Sequence, residues 1–399
     1  MKNYALFTGR LGNCYKLCSQ SYEQPPFPRS DQDLKLKPRI VVSGVNLHEG
    51  GPLSVYRDAL TALSDAFSQQ YEIIALVHRK ALFDTPNVFF IEYPKIRRSW
   101  IRRVYFEYYA LRKLSHELDP YLWLSLHDMT PTVRASKRAV YCHNASPFAT
   151  FSWRAALYDS RYALFVLFYR FLYRINIHHN DYVIVQQTWL RDSFREMYGV
   201  KNIIVAHPRT VTADEFPTEL PVTSLKNKRS FCFFFPAYPR PFKNAEVLLE
   251  AARLLQDHPM EIWLTFSGSD GRYARNLVRR YGDLRNVKFL GKLSRQEVFE
   301  RYEIADCLVF PSLLETWGLP ISEFKTTGKP MLLANLPYAH ETLGTYSNAH
   351  FFDPRNTREL TKLMQQISSG MLEASPVIAD DIAQPYAAGW KELFGLLLP

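Results

Sequence analysis

Two carboxylates in the stretch 310–330, FPSLLETWGLPISEFKTTGKP, have the types and spacing to bind a phosphorylated ligand. Glu315 and Glu323 are eight residues apart, and a turn at Gly318 and a helix entered near Pro320 separate them. A helix N-terminus offers free N–H groups and partial positive charge, which favour phosphate. We expect Glu315 in the loop after a strand and Glu323 on the first helical turn, one at each end of a ligand with central phosphates. The pattern leaves open that Glu323 only complements the helix dipole and that Glu315 is a solvated charge.

Two cations and a glycine-rich loop could meet the same ligand. Arg240 and Lys243 follow a predicted strand and precede a helix, so they can point at a diphosphate. The loop 48–51, HEGG, also follows a strand and precedes a helix, and Gly50 and Gly51 would let the backbone approach closely. Solvated cations and an ordinary strand–helix turn are the alternatives.

Alternating strands and helices must position these residues. Apolar runs that predict buried parallel strands occur in the first half of the chain and restart in the second. These runs are 39–44, 71–78, 87–94, 122–128, 138–144, 181–187, 230–237, 261–268, 286–291, 306–312 and 329–335. Helical spacing appears between them, as in 53–67 and 244–256, and Ser294 with Glu297 has the spacing of a capping box. The alternation predicts an α/β protein with doubly wound parallel sheets.

The second series of apolar strand runs predicts a second domain with an architecture similar to the first. The expected segments are an N-terminal arm (1–38), a first domain (39–211), a polar linker (212–229), a second domain (230–380) and a closing helix (381–399). The closing helix carries Trp390, Leu393, Phe394 and Leu397 on one stripe. Such a stripe needs an apolar surface, so we expect it to pack back on the first domain.

Composition and missing motifs exclude several classes of protein. Of the 399 residues, 47% are apolar and 15% aromatic, which argues against a mainly disordered chain. Five cysteines, an odd number, predict free thiols. The sequence has no run of about 20 apolar residues and no apolar core of a signal peptide, so we expect a cytoplasmic protein. The DxD at 31–33 lies in the polar arm, which disfavours a metal-dependent sugar transferase.

The stretch 310–330 resembles the signature of glycosyltransferase family 4, with its two glutamates in the E-x7-E arrangement. The preceding segment 286–312 and the following segments GKPMLLANLPYAHETLG and FFDPRN resemble the chain that flanks this signature. The likeness is strongest over 286–354 and weak in the first half. It implies the GT-B fold, two Rossmann-like domains facing each other across a cleft. The second domain would hold a nucleotide-diphosphate sugar and the first the acceptor of a retaining transfer.

The resemblance also implies roles for individual donor-side residues. Glu323 would bind the ribose hydroxyls and Glu315 would lie near the donor sugar. Backbone groups at Gly318 and Leu319 would contact the sugar and the diphosphate. The nucleobase pocket would be lined by the turn of Gly291, Lys292 and Leu293.

The family's phosphate-binding pair is matched only in part. An arginine and a lysine five residues apart are usual in the family; with Lys243 at the lysine position, Tyr238 falls where the arginine is expected. Arg240 is displaced by two residues, so its role is less secure than that of Lys243. The glycines Gly50 and Gly51 resemble the family's N-terminal loop, which approaches the donor phosphate and the acceptor.

One histidine is implied at the donor sugar. His143, in YCHNASPF, resembles the family histidine that can hydrogen-bond a sugar hydroxyl or stabilise developing positive charge. His127, in SLHDM, also ends a predicted strand and remains the alternative. In a front-face retaining mechanism the departing phosphate can accept the acceptor's proton, so no dedicated protein base is required.

Much of the net charge of +10 lies in one stretch. Residues 95–113 contain seven basic side chains and one acid, with apolar residues at helical spacing. The stretch 151–173 adds nine aromatics with arginines nearby. Basic, aromatic, amphipathic segments suit an anionic membrane interface, and a lipid-linked acceptor would explain both. Aromatics buried between helices, with solvated arginines, are the alternative.

The sequence thus predicts a metal-independent retaining hexosyltransferase with a nucleotide-sugar donor and no cofactor. Its acceptor would be a saccharide, lipid-linked, in surface polysaccharide assembly of the O-antigen, lipopolysaccharide or capsule type. We expect it to be peripheral on the inner face of the cytoplasmic membrane, with nucleic acid disfavoured as a partner. The alternatives are a nucleotide-sugar epimerase or a phosphorylase of the same fold, or a non-catalytic membrane-binding protein.

Overall fold

The computed structural model describes five ranges of the chain: 37–96, 99–148, 160–209, 230–372 and 381–399. The predicted linker 212–229 lies outside the described residues, and so does the predicted arm apart from its last two positions. Two further parts lie outside the described residues. They are Arg97 and Arg98 of the basic stretch 95–113, and the segment 149–159, most of which belongs to the aromatic stretch 151–173.

Fourteen parallel strands occur in the described residues. They are β1 (Arg39–Ser43), β2 (Glu72–Val77), β3 (Val88–Glu92), β4 (Leu122–Ser125), β5 (Lys137–Cys142), β6 (Tyr182–Val185), β7 (Ile203–Ala206), β8 (Phe231–Phe235), β9 (Met260–Leu264), β10 (Val287–Phe289), β11 (Cys307–Phe310), β12 (Met331–Ala334), β13 (Ala349–Phe352) and β14 (Tyr386–Ala387). The central strands are buried throughout, because parallel sheets are covered by helices on both faces.

The strands form two separate sheets. One has the order β14-β7-β6-β5-β4-β1-β2-β3 and the other the order β10-β9-β8-β11-β12-β13. In the first sheet Val41 pairs with Ile74 on one side and Trp123 on the other. In the second, β8 lies between β9 and β11. In both, the first strand of the half lies inside the sheet, as in doubly wound folds.

Helices connect and cover these strands. They are α1 (Gly50–Phe67), α2 (Trp100–Tyr105), α3 (Leu111–Leu118), α4 (Ser160–Arg174), α5 (Thr188–Tyr198), α6 (Ala245–Leu254), α7 (Arg272–Tyr281), α8 (Arg295–Ile304), α9 (Leu319–Phe324), α10 (Pro337–Leu343), α11 (Thr357–Ser368) and α12 (Trp390–Leu397). A π-helical turn, Phe106–Ala110, joins α2 to α3. The predicted capping box opens α8: Ser294 Oγ accepts from the Glu297 N–H and the Glu297 carboxylate accepts from the Ser294 N–H. None of the described helices is long and apolar enough to cross a bilayer.

The last described residues belong to the first sheet. β14 pairs with β7, with Tyr386 beside Val205. The four stripe residues of α12 are buried in the core of the first sheet, where Trp390 stacks on Tyr141 with ring centroids 5.2 Å apart. The segment 381–399 therefore supplies a strand as well as the helix expected from its stripe.

The predicted α/β fold with two parallel sheets is confirmed. The predicted strand runs coincide with β1 to β6 and β8 to β12. The periodicity did not single out β7, β13 or β14. These three strands lie at or near a sheet edge.

Candidate active site

Loops at the carboxyl ends of the two sheets meet. A Cβ atom on Gly51 of the first domain would lie 3.5 Å from Leu319 Cδ1 of the second. Gln187, after β6, donates from Nε2 to the Tyr338 carbonyl at 3.0 Å and to Thr342 Oγ1 at 2.8 Å, both in α10. The carboxyl ends of parallel strands are where open α/β sheets bind ligands, so a cleft between these edges is the candidate site.

An ion pair between Lys243 and Glu315 lies at the carboxyl edge of the second sheet. The Lys243 ammonium donates to Glu315 Oε1, and both side chains are mostly buried. Asn244 holds the two loops in place: its Nδ2 donates to the Pro311 carbonyl at 3.1 Å and to the Pro354 carbonyl at 2.8 Å. Two sequence-predicted residues, 72 positions apart, are therefore brought into direct contact.

Arg240 has a different neighbour. Its guanidinium carbon lies 5.2 Å from the ring centroid of Tyr238, the residue found where the family has its arginine. Tyr238 is half exposed, and its hydroxyl is 3.4 Å from the Asp270 carbonyl. Arg240 and Tyr238 thus form a stacked cation–aromatic pair on the loop after β8.

Glu323 is almost fully buried and is the fifth residue of α9, so the expectation that it lies on the first helical turn is wrong. The helix begins at Leu319, directly after the turn, and this leaves Glu323 beyond the free N–H groups. Its Oε2 accepts from the Tyr302 hydroxyl at 2.9 Å, and its Oε1 is 2.8 Å from Arg295 Nη2. Burial raises the pKa of Glu323, while Arg295 and Tyr302 lower it. A buried carboxylate at this point can accept hydrogen bonds from hydroxyl groups of a ligand.

The turn between the two glutamates requires glycine at one position. Gly318 has φ 89°, and a Cβ there would lie 3.3 Å from Ile321 Cδ1. Trp317 fixes the same turn, because its Nε1 donates to Ser322 Oγ at 2.7 Å and its carbonyl accepts from the Thr342 hydroxyl. The backbone of Gly318 and Leu319 is thereby held at the cleft.

The turn expected at the nucleobase lies directly before α8. Gly291 has φ 76°, and its N–H donates to the Phe266 carbonyl at 3.3 Å. Lys292 is exposed and Leu293 half buried. Arg295, the first residue of α8, follows at once and pairs with Glu323. The turn expected at the nucleobase is therefore next to Glu323, the residue expected at the ribose.

Gly50 and Gly51 lie in the first turn of α1, so the predicted glycine loop is shorter than expected. Gly50 has φ 67°, which glycine tolerates. His48 closes the loop: its Nδ1 is 2.9 Å from the Asn46 carbonyl and its Nε2 is 3.2 Å from Glu49 Oε1.

The two candidate histidines lie in different surroundings. The side chain of His143 is 13% exposed, and its Nε2 is 3.6 Å from Asp128 Oδ2. The side chain of His127 is 0% exposed; its Nδ1 is 3.0 Å from the Ser43 carbonyl and its Nε2 is 2.8 Å from Glu107 Oε1. Of the two side chains, only that of His143 has exposed surface, so only it could meet a ligand without unpacking the core.

Asp128 is a residue of this site that the sequence reasoning missed. Its Oδ1 accepts from the His143 N–H at 2.8 Å, the Asn144 N–H at 3.1 Å and the Tyr173 hydroxyl at 2.8 Å. One buried carboxylate therefore shapes the loop that carries His143. The available signal was an acidic residue at the end of a predicted strand run.

The two facing sheets, with polar loops at their carboxyl ends, define the fold of a GT-B glycosyltransferase. The structure of WaaG, a glycosyltransferase involved in lipopolysaccharide biosynthesis, matches with a TM-score of 0.60 and 15% identity, over 83% of this chain and 92% of that chain. Sucrose-phosphate synthase from Thermosynechococcus elongatus also matches with a TM-score of 0.60 and 15% identity, over 84% of this chain and 90% of that chain.

Residues 218–375 match the family model described as glycosyl transferases group 1. The matched range includes Lys243, Glu315 and Glu323 of the second domain.

The names of two curated relatives refer to the O-antigen chain or to a serotype. The O-antigen chain mannosyltransferase RfbU of Salmonella typhimurium is 24% identical over 62% of this chain and 65% of its own length. The serotype-specific mannosyltransferase WbdA of Escherichia coli is 28% identical over 42% of this chain and 22% of its own length. The matched regions thus span less than two thirds of either relative.

Proposed function

We propose that the protein moves a hexose from a nucleotide-diphosphate sugar to a saccharide acceptor with retention of anomeric configuration. The observation that carries the proposal is the contact between Lys243 and Glu315 at the carboxyl edge of the second sheet. In this proposal the cation meets the diphosphate and the carboxylate beside it meets the sugar. Glu323 supplies a second, buried carboxylate on the same connection, within the part that matches glycosyl transferases group 1.

Each residue has a defined task in the proposed reaction. Glu323 accepts hydrogen bonds from the ribose hydroxyls. Lys243 stabilises the negative charge that develops on the leaving diphosphate, with Arg240 as a second cation. The bond from the anomeric carbon to the phosphate oxygen breaks while the acceptor oxygen bonds to the same face of that carbon. The acceptor's proton passes to the departing phosphate, so neither a metal nor a protein base is needed. Activity that persists in excess EDTA is the expected result.

The proposed acceptor is a lipid-linked saccharide in surface polysaccharide assembly. Support comes from the names of the O-antigen relative and of the lipopolysaccharide glycosyltransferase with the same fold. The donor would be bound by the second domain and the acceptor by the first, on the side of His143, Gly50 and Gly51. We propose a location at the inner face of the cytoplasmic membrane.

A thermal-unfolding panel tests the donor. The protein is heated with UDP, GDP, dTDP and CMP sugars, and the true donor raises its melting temperature because it binds the native state. A ligand at 100 times its Kd adds about 2.7 kcal/mol. The stabilising donor is then incubated with saccharide acceptors, and NMR of the product reads the anomeric configuration. Inversion would contradict the retaining mechanism, and an epimerised nucleotide sugar without transfer would favour the epimerase.

A further inference from the structure

Exposed apolar side chains concentrate on two neighbouring helices of the first domain. Trp100, Ile101 and Val104 of α2 and Phe168 and Phe171 of α4 are all exposed, Ile101 by 73% and Phe171 by 66%. The rings of Trp100 and Phe168 meet edge to face at 5.1 Å, so the five side chains form one surface, called the docking face below. A contiguous exposed apolar surface marks a place where a protein or a membrane binds.

The charges near the docking face favour an anionic partner. Arg102 lies on α2, Arg112 and Lys113 follow on α3, and Arg174 ends α4; all four are exposed or half exposed. Apolar and aromatic side chains set among arginines and lysines are typical of segments that lie in a bilayer interface. Basic residues next to such a surface are attracted by anionic lipid headgroups.

Arg103, one of the seven basic residues of 95–113, does not contribute to this charge. Its side chain is buried: it hydrogen-bonds Tyr169 of α4, and its Nη2 donates to the His127 carbonyl at 3.3 Å. Its guanidinium carbon also lies 5.3 Å from the Trp100 ring centroid. Arg103 therefore joins α2, α4 and the loop after β4 beneath the docking face.

The second helix is fixed to the other loop of the cleft. Arg170 Nε donates to the Pro147 carbonyl at 2.7 Å, and the Tyr173 hydroxyl is 3.1 Å from the Asn144 carbonyl. Pro147 and Asn144 lie in the loop that follows β5 and begins with His143. Both helices of the docking face are thus held by the loops expected to meet the acceptor.

We propose that the docking face binds an anionic lipid bilayer and thereby brings a membrane-borne acceptor to the cleft edge at His143. The identity of the acceptor rests on the proposed function, whereas the binding of the bilayer rests on the docking face alone. The partner is a lipid surface because the apolar side chains share α2 and α4 with the cations Arg102 and Arg174 and belong to helices already packed on their other side. A protein partner or a second copy of the chain is an outcome that the test must separate.

The test is flotation of the full chain with vesicles. We expect it to float with vesicles of phosphatidylcholine and phosphatidylglycerol, less with pure phosphatidylcholine, and less again at high salt. The double variant Ile101→Ser/Phe171→Ser should lower the bound fraction at least about tenfold, as removal of two inserted apolar side chains predicts. The matched control is Leu254→Ser/Met371→Ser, which removes side chains 60% and 69% exposed on the second domain.

A second pair of variants tests the charge. Arg102→Gln/Arg174→Gln should weaken binding to anionic vesicles, while Arg272→Gln/Arg279→Gln on α7 should leave it unchanged. Thermal unfolding of every variant shows that the fold is intact. Failure of the wild-type chain to float, or equal losses in the control variants, would overturn the inference. So would a dimer of the wild-type chain that Ile101→Ser/Phe171→Ser converts to a monomer in light scattering, with no vesicle binding.

Activity separates this inference from the proposed function. With a water-soluble saccharide acceptor the docking-face variant should transfer sugar as well as the wild-type chain does, and only transfer to vesicle-embedded acceptor should fall. A chain that floats but transfers no sugar from any nucleotide donor would contradict the proposed function and leave the docking face supported. A chain that transfers sugar but never floats would contradict the docking face alone.

Discussion

The two domains meet the cleft with polar groups of different kinds. In the second domain, opposite charges pair between neighbouring segments, Lys243 with Glu315 and Arg295 with Glu323. In the first domain, Asp128 accepts hydrogen bonds from the backbone N–H of His143 and from the Tyr173 hydroxyl. Charged pairs can exchange partners with a phosphorylated ligand, whereas a carboxylate satisfied by backbone N–H groups fixes the shape of a loop. The charged pairs of the second domain can thus bind an anionic ligand, whereas the Asp128 carboxylate of the first domain holds the His143 loop in shape.

The largest effect is expected from a substitution in the charged pairs of the second domain. Lys243→Met removes the cation proposed to stabilise the leaving diphosphate, so kcat should fall about 10²- to 10³-fold. Steady-state transfer kinetics measure it. Arg240→Met is the matched control and should cost less, because that guanidinium stacks on Tyr238. An unchanged kcat in Lys243→Met would remove the lysine from the mechanism.

Glu323→Gln tests the buried carboxylate. A lost hydrogen bond to a charged group is worth about 1.5–3 kcal/mol, so the Kd of the donor should rise roughly ten- to a hundredfold in titration calorimetry. Burial raises the pKa of Glu323, so the ionised carboxylate destabilises the fold at neutral pH. The melting temperature without donor should therefore stay the same or rise. Unchanged donor affinity would contradict the ribose role.

Asp128→Asn tests the role of the Asp128 carboxylate beside His143 in the first domain. Asparagine keeps one oxygen for the N–H groups of His143 and Asn144 but removes the negative charge near His143 Nε2. We expect kcat to fall about tenfold, equivalent to about 1.4 kcal/mol. Tyr173→Phe is the control: it removes a hydrogen bond to the same oxygen, costs about 1 kcal/mol of stability and leaves kcat closer to wild type. Equal losses of kcat in both variants would mean that Asp128 only shapes the loop.

The smallest effect is a shift in pH dependence. Protonation of Glu323 removes an acceptor for the ribose, so donor affinity should fall as the pH drops through its raised pKa. Arg295 lowers that pKa, so in Arg295→Met the loss should begin at a higher pH than in the wild-type chain. Donor Kd measured from mildly alkaline to mildly acidic buffer gives the two midpoints. Coincident midpoints would show that Arg295 does not control the carboxylate.

Local patterns predicted the second domain better than the first. Glu315, Gly318 and Glu323 lie on one strand–turn–helix connection, so their spacing alone brings them to one edge. The capping box of Ser294 and Glu297 is equally local. These features could be predicted because each depends on a few consecutive residues.

Contacts between distant segments could not be predicted in the same way. Arg295 is 28 residues from Glu323, and the bonds to Asp128 come from His143, 15 residues away, and from Tyr173, 45 residues away. Hydrophobic periodicity reports which residues are buried and carries no information on their polar partners. Arg103 illustrates the limit, because the sequence pattern of 95–113 does not distinguish this buried arginine from the exposed ones.

The return of the chain to the first sheet has a consequence for synthesis on the ribosome. The second sheet is encoded without interruption between Phe231 and Phe352, so its core can close while the chain is still being extended. The first sheet has to wait for β14 and α12, whose residues are made after those of the second sheet. Multidomain chains commonly fold from the N-terminus onward as they emerge. Here the domain that is translated first completes its core last, and until then an apolar surface at its edge is left for chaperones to cover.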